Sequence, residues 1–133
     1  MVPHTNPELT TIATLAGDQA RRPVKAGDVI FRSGESGEKL YGVLSGEVRL
    51  SWEGDRQETF GAGSCFGVGA LVDPEHRRFG TATVTADGEL VEMNREQFLF
   101  ALQELPMFAL EMLHDLENRL RDLKHADAAH GAL

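Results

Sequence analysis

Between about Arg22 and Asn94, short β-branched or aromatic runs alternate with glycine-bearing turns, a texture that restricts this stretch to a β architecture. Val29-Ile30-Phe31, Tyr41-Gly42-Val43-Leu44 and Thr81-Ala82-Thr83-Val84 are runs of this kind. Gly34, Gly37, Gly46, Gly54-Asp55, Gly61 to Gly63 and Asp87-Gly88 read as reversals between them. Val48, Leu50 and Trp52 alternate with Glu47, Arg49 and Ser51, the period of a strand with one buried face. Many short strands at this spacing predict a sandwich, jelly roll or barrel.

Helical signals flank that block. Asn6-Pro7-Glu8 offers an N-cap, a first-turn proline and an acid at the positive end of the helix dipole. Leu9, Ile12 and Leu15 give a short apolar stripe that Gly17 ends. Asn94 with Gln97 forms a capping-box signature for a short helix through Leu102. Pro106 opens a longer helix to about Lys124, with residues 125–133 expected as a flexible tail. Leu113, Leu116, Leu120 and Leu123 follow the a/d spacing of a coiled-coil seam, so a homodimer through this helix is expected. Only about two heptads fit, too few for the helix to stand alone.

The 133 residues suffice for one domain. With 21 acidic and 13 basic residues the net charge is -8, which repels phosphate backbones and disfavours direct nucleic-acid binding. Cys65 is the single cysteine, so neither an internal disulfide nor a thiolate metal cluster can form. No apolar run follows a basic start, and no stretch approaches the roughly 18 apolar residues of a membrane span. The expected compartment is the cytoplasm.

Several joints share one pattern. Gly27-Asp28-Val29-Ile30-Phe31 leads into the turn Gly34-Glu35-Ser36-Gly37-Glu38, and Leu40 to Leu44 runs into Ser45-Gly46-Glu47-Val48. Phe66-Gly67 and Ala70-Leu71 precede Thr81-Ala82-Thr83-Val84. In this order, over roughly residues 7–124, the chain resembles the cyclic-nucleotide-binding domain family, which includes the catabolite activator protein and the kinase regulatory subunits. The resemblance implies a mainly β fold with flanking helices: an eight-stranded antiparallel β-roll or jelly roll with an N-terminal helix, a short cassette helix and a long C-terminal helix. It further implies one domain over residues 1–124, with the roll at about 22–94 and Ser45-Gly46 as a tight reversal.

The implied function is a ligand-sensing regulatory module, not an enzyme, that signals through its C-terminal helix. The ligand is expected between the cassette (Phe66, Gly67, Val68, Gly69, Ala70, Leu71) and the strand of Thr81 and Ala82. Cyclic AMP, cyclic GMP or another anionic small molecule is implied, with no cofactor fixed. In such cassettes a glycine loop and a helix start aim backbone N–H groups at a phosphate.

The chain departs from the family at two anchors. Where the family has a glutamate that accepts from the ribose 2′-hydroxyl, Val68 stands. Where it has an arginine directly before the Thr-Ala pair, Gly80 stands, with Arg77 and Arg78 earlier in a longer loop. Either Arg78 (or Arg77) swings onto an anionic ligand, or both lie in solvent. A pocket filled by Phe79 or Leu71 would argue against any ligand. The competing reading is a degenerate roll that binds a non-canonical ligand or none, serving as a dimerisation or adaptor protein with an effector protein as partner.

Other chemistry has little support. A metal-binding cupin needs His-x-His on its strands, and His76 is the single histidine between Arg22 and Asn94. His4, His125 and His130 fall in expected tails, and His114 lies beside the leucine seam. Cys65 reads as a small buried hydrophobe. No metal site is expected, and neither a nucleophilic triad nor a P-loop occurs. The chain ends soon after the long helix, so a helix-turn-helix and direct DNA regulation are not expected.

Overall fold

The structure, a computed structural model, describes residues 21–129. The helix expected at Asn6 to Gly17 lies outside the described residues, as do residues 130–133 of the expected tail. Among the described residues six strands form one antiparallel sheet: β1 (Arg21–Val24), β2 (Val29–Phe31), β3 (Lys39–Trp52), β4 (Arg56–Phe60), β5 (Cys65–Phe66) and β6 (Thr81–Asn94). A one-turn helix, α1 (Gly69–Val72), separates β5 from β6, and α2 (Arg95–Glu104) and α3 (Pro106–Ala129) follow. The sheet order is β1-β6-β3-β4, with β2 added to β6 and β5 to β3.

The spine is the long pairing of β3 with β6, from Lys39 opposite Asn94 to Ser51 opposite Thr81. Ser45-Gly46 and Asp87-Gly88 are not the reversals that their residue types suggest; both strands continue through them. The register slips between Val43 and Val48 instead. Gly46 has φ 88°, and a Cβ there would lie 2.6 Å from the Ala86 carbonyl oxygen. A Cβ on Gly88 would run into the Ser45 backbone. The two glycines therefore let both strands bulge at the same place and turn the corner of the roll together. The six strands fall short of the expected eight because β3 and β6 are each continuous over 14 residues.

Strand alternation sorts side chains into two cores. Tyr41, Val43, Val48, Phe60, Phe66, Ala82, Val84 and Leu90 fill the roll with Val24 and Phe31. Leu40, Cys65, Leu71, Val91 and Met93 face the opposite way and meet Ala101, Phe108 and Met112 of the helices. Thus Leu40 and Tyr41, adjacent in sequence, belong to different cores, as a period of two requires.

Asn94 caps α2 as its spacing predicts: its side chain accepts from the Gln97 N–H at 2.8 Å, and its own N–H donates to Gln97 Oε1 at 2.8 Å. α2 ends at Glu104, two residues beyond the expected Leu102, and Pro106 starts α3. α3 continues to Ala129 rather than stopping at Lys124. Ala126, Asp127, Ala128 and Ala129 contain neither glycine nor proline, and alanine is the best helix former, so nothing ends the helix where the tail was expected. No helix among the described residues is long and apolar enough to cross a membrane.

Candidate ligand pocket and helix latch

The expected cassette forms one wall of an open cavity of about 390 Å³ between the roll and α3. Gly67, Val68, Gly69, Ala70, Arg77, Arg78 and Gly80 line it, joined by Phe31, Leu50, Trp52, Glu58, Asp73 and Phe79, and by Leu116, Arg119 and Leu123 of α3. Four expected site residues stand off the wall. Phe66 is buried in the roll, stacked between Tyr41 (ring centroids 5.3 Å apart) and Phe60 (5.7 Å). Leu71 and Ala82 are core, and Thr81 spends its hydroxyl oxygen on the Ser33 N–H at 3.1 Å. Neither Phe79, which is 68% exposed, nor Leu71 fills the cavity.

The two arginines separate. Arg77 points outward, its guanidinium 3.3 Å from the Gly34 carbonyl and 3.6 Å from Glu75. Arg78 turns in and is only 6% exposed. It donates from Nη1 to the Gly67 carbonyl (3.0 Å) and from Nη2 to the Lys39 carbonyl (2.8 Å), so neither bond reaches a carboxylate. Its Cζ lies 4.1 Å from the centroid of Phe31 and 5.7 Å from that of Tyr41. Arg78 Nε is the buried side-chain nitrogen without a hydrogen-bond partner among the described residues. Burial lowers the Arg78 pKa, with Tyr41 and then Glu35 opposing; a guanidinium nevertheless stays charged at physiological pH.

The turn at Gly34 to Gly37 sets this orientation. Gly34 N–H donates to the Arg78 carbonyl (2.8 Å), Arg78 N–H to Glu35 (2.7 Å) and Gly37 N–H to His76 (2.6 Å), so the loop zips against the cassette exit. A Cβ on Gly37 would overlap the Arg78 guanidinium. Gly80 answers a different need: a Cβ there would sit 2.8 Å from the Ser51 carbonyl oxygen. The position directly before Thr81 is thus too tight for any side chain, and the cation enters two residues earlier. α1 has only four residues, so its dipole contributes little and the positive charge is that of Arg78.

Opposite the cassette, Arg119 of α3 grips Glu58 of β4 with two bonds, Nε to Oε2 at 2.9 Å and Nη2 to Oε1 at 3.2 Å. The Arg119 Cζ also lies 4.7 Å from the Phe60 centroid. Glu58 is 4% exposed, so this is a buried pair tying α3 to the roll beside the cavity. The leucines expected as one seam divide between two faces. Leu113 and Leu120 are exposed, with Leu110 and Met107 also exposed on α3. Leu116 and Leu123 are half-buried on the cavity wall.

Other side chains make local contacts around the site. Asp28 caps its own turn by accepting from the Lys25 N–H at 2.9 Å. His76 Nδ1 lies 2.8 Å from the Ala70 carbonyl oxygen, holding the end of α1. Cys65 is buried, and burial pushes its thiol well above the usual value. Sequence reasoning missed Gly37, Phe31, Trp52 with Phe79, and the Glu58–Arg119 pair. A glycine turn and a lone carboxylate in a strand carry no local mark of a partner 41 or 61 residues away.

A β-roll whose short cassette and buried, carboxylate-free arginine open onto a cavity under the C-terminal helix defines a class of small-ligand sensor. The model of the cyclic nucleotide-binding domain family matches residues 21–104, and the chain belongs to that family. It is 36% identical over 107 residues to the cyclic AMP receptor protein of Thermus thermophilus, covering 77% of this chain and 49% of that one. The crystal structure of the Thermus thermophilus catabolite activator protein superposes with a TM-score of 0.71 at 30% identity, over 95% of this chain and 60% of that one. The c-di-GMP responsive global regulator CLP of Xanthomonas campestris gives 0.77 at 25% identity, over 89% and 62%. The chain therefore spans about half the length of this curated relative. As a member of this family it is a ligand-sensing regulatory module.

Proposed function

We propose that the cavity binds cyclic AMP, cyclic GMP or a closely similar compact anion, with Arg78 on the negative group. The observation that carries this is the buried Arg78, whose two hydrogen bonds go to carbonyls rather than to a carboxylate. A guanidinium has five N–H donors, and an anion arriving at the cavity adds charge-assisted bonds that no carboxylate makes to Arg78, each contributing about 1.5–3 kcal/mol. Gly67, Val68, Gly69 and Ala70 form the near wall, and Gly80 keeps the floor clear.

Occupancy is passed to α3 through Leu116, Leu123 and Arg119, which border the same space. The proposed working state is a cytoplasmic homodimer joined along α3, supported by the exposed Leu113 and Leu120. Its output is an effector protein; the net charge of -8 supports a protein rather than a nucleic acid as the direct partner. The chemistry is binding, without catalysis.

A thermal-shift panel of cyclic AMP, cyclic GMP and c-di-GMP tests the reading. At a ligand concentration of 100 Kd the stabilisation is about 2.7 kcal/mol, several degrees for a domain of this size. Arg78→Lys keeps the charge but loses the planar fork, and is expected to remove most of the shift. A flat panel with folded wild-type protein contradicts the reading and favours the adaptor role.

A further inference from the structure

We infer that Arg95, the first residue of α2, is a positioning residue that carries movement of the cassette into α2 and α3 by holding the last turn of α1 through its backbone. The inference does not depend on which ligand the cavity takes.

α1 ends on two carbonyls that the following backbone does not serve in the helical pattern. The helical bond to the Ala70 carbonyl would come from residue 74, which is proline and has no N–H. The bond to the Leu71 carbonyl would come from Glu75, whose N–H goes instead to Asp73 Oδ1 at 3.0 Å. Two side chains take these places. His76 holds a left-handed backbone, φ 55°, and brings Nδ1 to 2.8 Å from the Ala70 oxygen. A carbonyl only accepts, so the ring donates. The Leu71 carbonyl accepts from Nη1 of Arg95, 24 residues further along the chain.

The two caps differ in reach. His76 belongs to the cassette loop and ties α1 to its own exit. Arg95 belongs to α2, whose start is fixed by the capping box of Asn94 and Gln97. Phe98 on the same helix meets Phe108 of α3 edge-on, with ring centroids 6.1 Å apart. A cation in the first turn of a helix stands at the unfavourable end of its dipole, so the Arg95 charge serves the carbonyl end of α1 rather than α2 itself. Leu71 also reaches these helices by packing in one core with Ala101 and Phe108. An apolar contact tolerates sliding, whereas a hydrogen bond weakens steeply once its angle is lost. The Arg95 bond therefore registers a small rotation of α1 that the packing absorbs.

Hydrogen exchange on the ligand-free full chain tests this. His76→Ala removes one cap and is expected to speed amide exchange about tenfold in residues 69–73, in α2 and in the first turns of α3. With Arg95→Met added, the cassette is expected still to respond to His76→Ala while α2 and α3 no longer do. Arg95→Lys, which keeps a donor, is expected to retain the response. Both side chains lie outside the two apolar cores, and the β3–β6 spine reports folding in each variant. A response of α2 and α3 that persists with Arg95→Met overturns the inference and assigns the coupling to Leu71 packing. Absence of any response in α2 and α3 to His76→Ala alone overturns it as well. A rise in Arg95→Met that extends equally to the spine makes Arg95 merely structural and overturns it too.

Discussion

A buried guanidinium is tolerated where its donors find acceptors and its face finds a ring. Arg78 has two carbonyls and Phe31, with one nitrogen unmet. Its position depends on space left by Gly37, whose missing Cβ the guanidinium replaces. Gly37→Ala is expected to expel Arg78 or to overpack the site at about 1–3 kcal/mol, lowering urea stability and ligand affinity together. Glu92 shows another residue-scale effect. Burial pushes its carboxyl up, but the hydrogen bonds and charges of Lys39 (2.8 Å) and Arg22 (3.2 Å) outweigh burial and hold the pKa below the ordinary 4.5. A depressed carboxylate stabilises the fold above its ordinary pKa and loses that contribution as pH falls through the folded value. Lys39 is half exposed, so screening leaves about 0.5–1 kcal/mol. Urea unfolding is expected to show Glu92→Gln less stable by that amount at pH 7, with the difference shrinking as pH falls below the ordinary 4.5 through the lowered folded value.

α3 is held to the roll by Phe108 and Met112 at one end and by Arg119 on Glu58 further along. Removing one partner of a buried pair leaves the other charge stranded, at about 3–5 kcal/mol, whereas replacing both is often neutral. Arg119→Met alone is therefore expected to destabilise the chain strongly and to speed amide exchange in the second half of α3. Glu58→Gln with Arg119→Met is expected to recover most of the loss. Equal damage from the single and the double variant would contradict the latch. Elements of this kind were only partly legible in the sequence. Period-two alternation and the Asn94-Gln97 spacing marked strands and the α2 cap because both are local signals. Ser45-Gly46 and Asp87-Gly88 misled because glycine serves a bulge as well as a turn, and only the facing strand distinguishes the two. The leucine spacing marked α3 correctly, but not that Leu116 and Leu123 face the cavity while Leu113 and Leu120 face out. Arg78's inward turn depends on Gly37, which no local pattern connects to it.

At the scale of the whole molecule, one helix carries both the cavity wall and an exposed apolar stripe, so the proposed ligand and the proposed partner share one element. A two-state element shifts only as far as the ligand's affinities for its states differ. Leu113→Glu with Leu120→Glu is expected to leave the roll folded and to give a monomeric mass in light scattering at tens of micromolar, where the wild type gives a dimer. A monomeric wild type would contradict the proposed assembly. The sensor reading itself has a built-in reporter, because Trp52 is the single tryptophan of the chain and lies on the cavity wall. Fluorescence of Trp52 should be titrated with cyclic AMP and cyclic GMP in wild type and in Arg78→Lys. A saturable change in the wild type that weakens by tenfold or more in the variant is the expected result. No change up to millimolar ligand, or the same affinity without the Arg78 guanidinium, would contradict it.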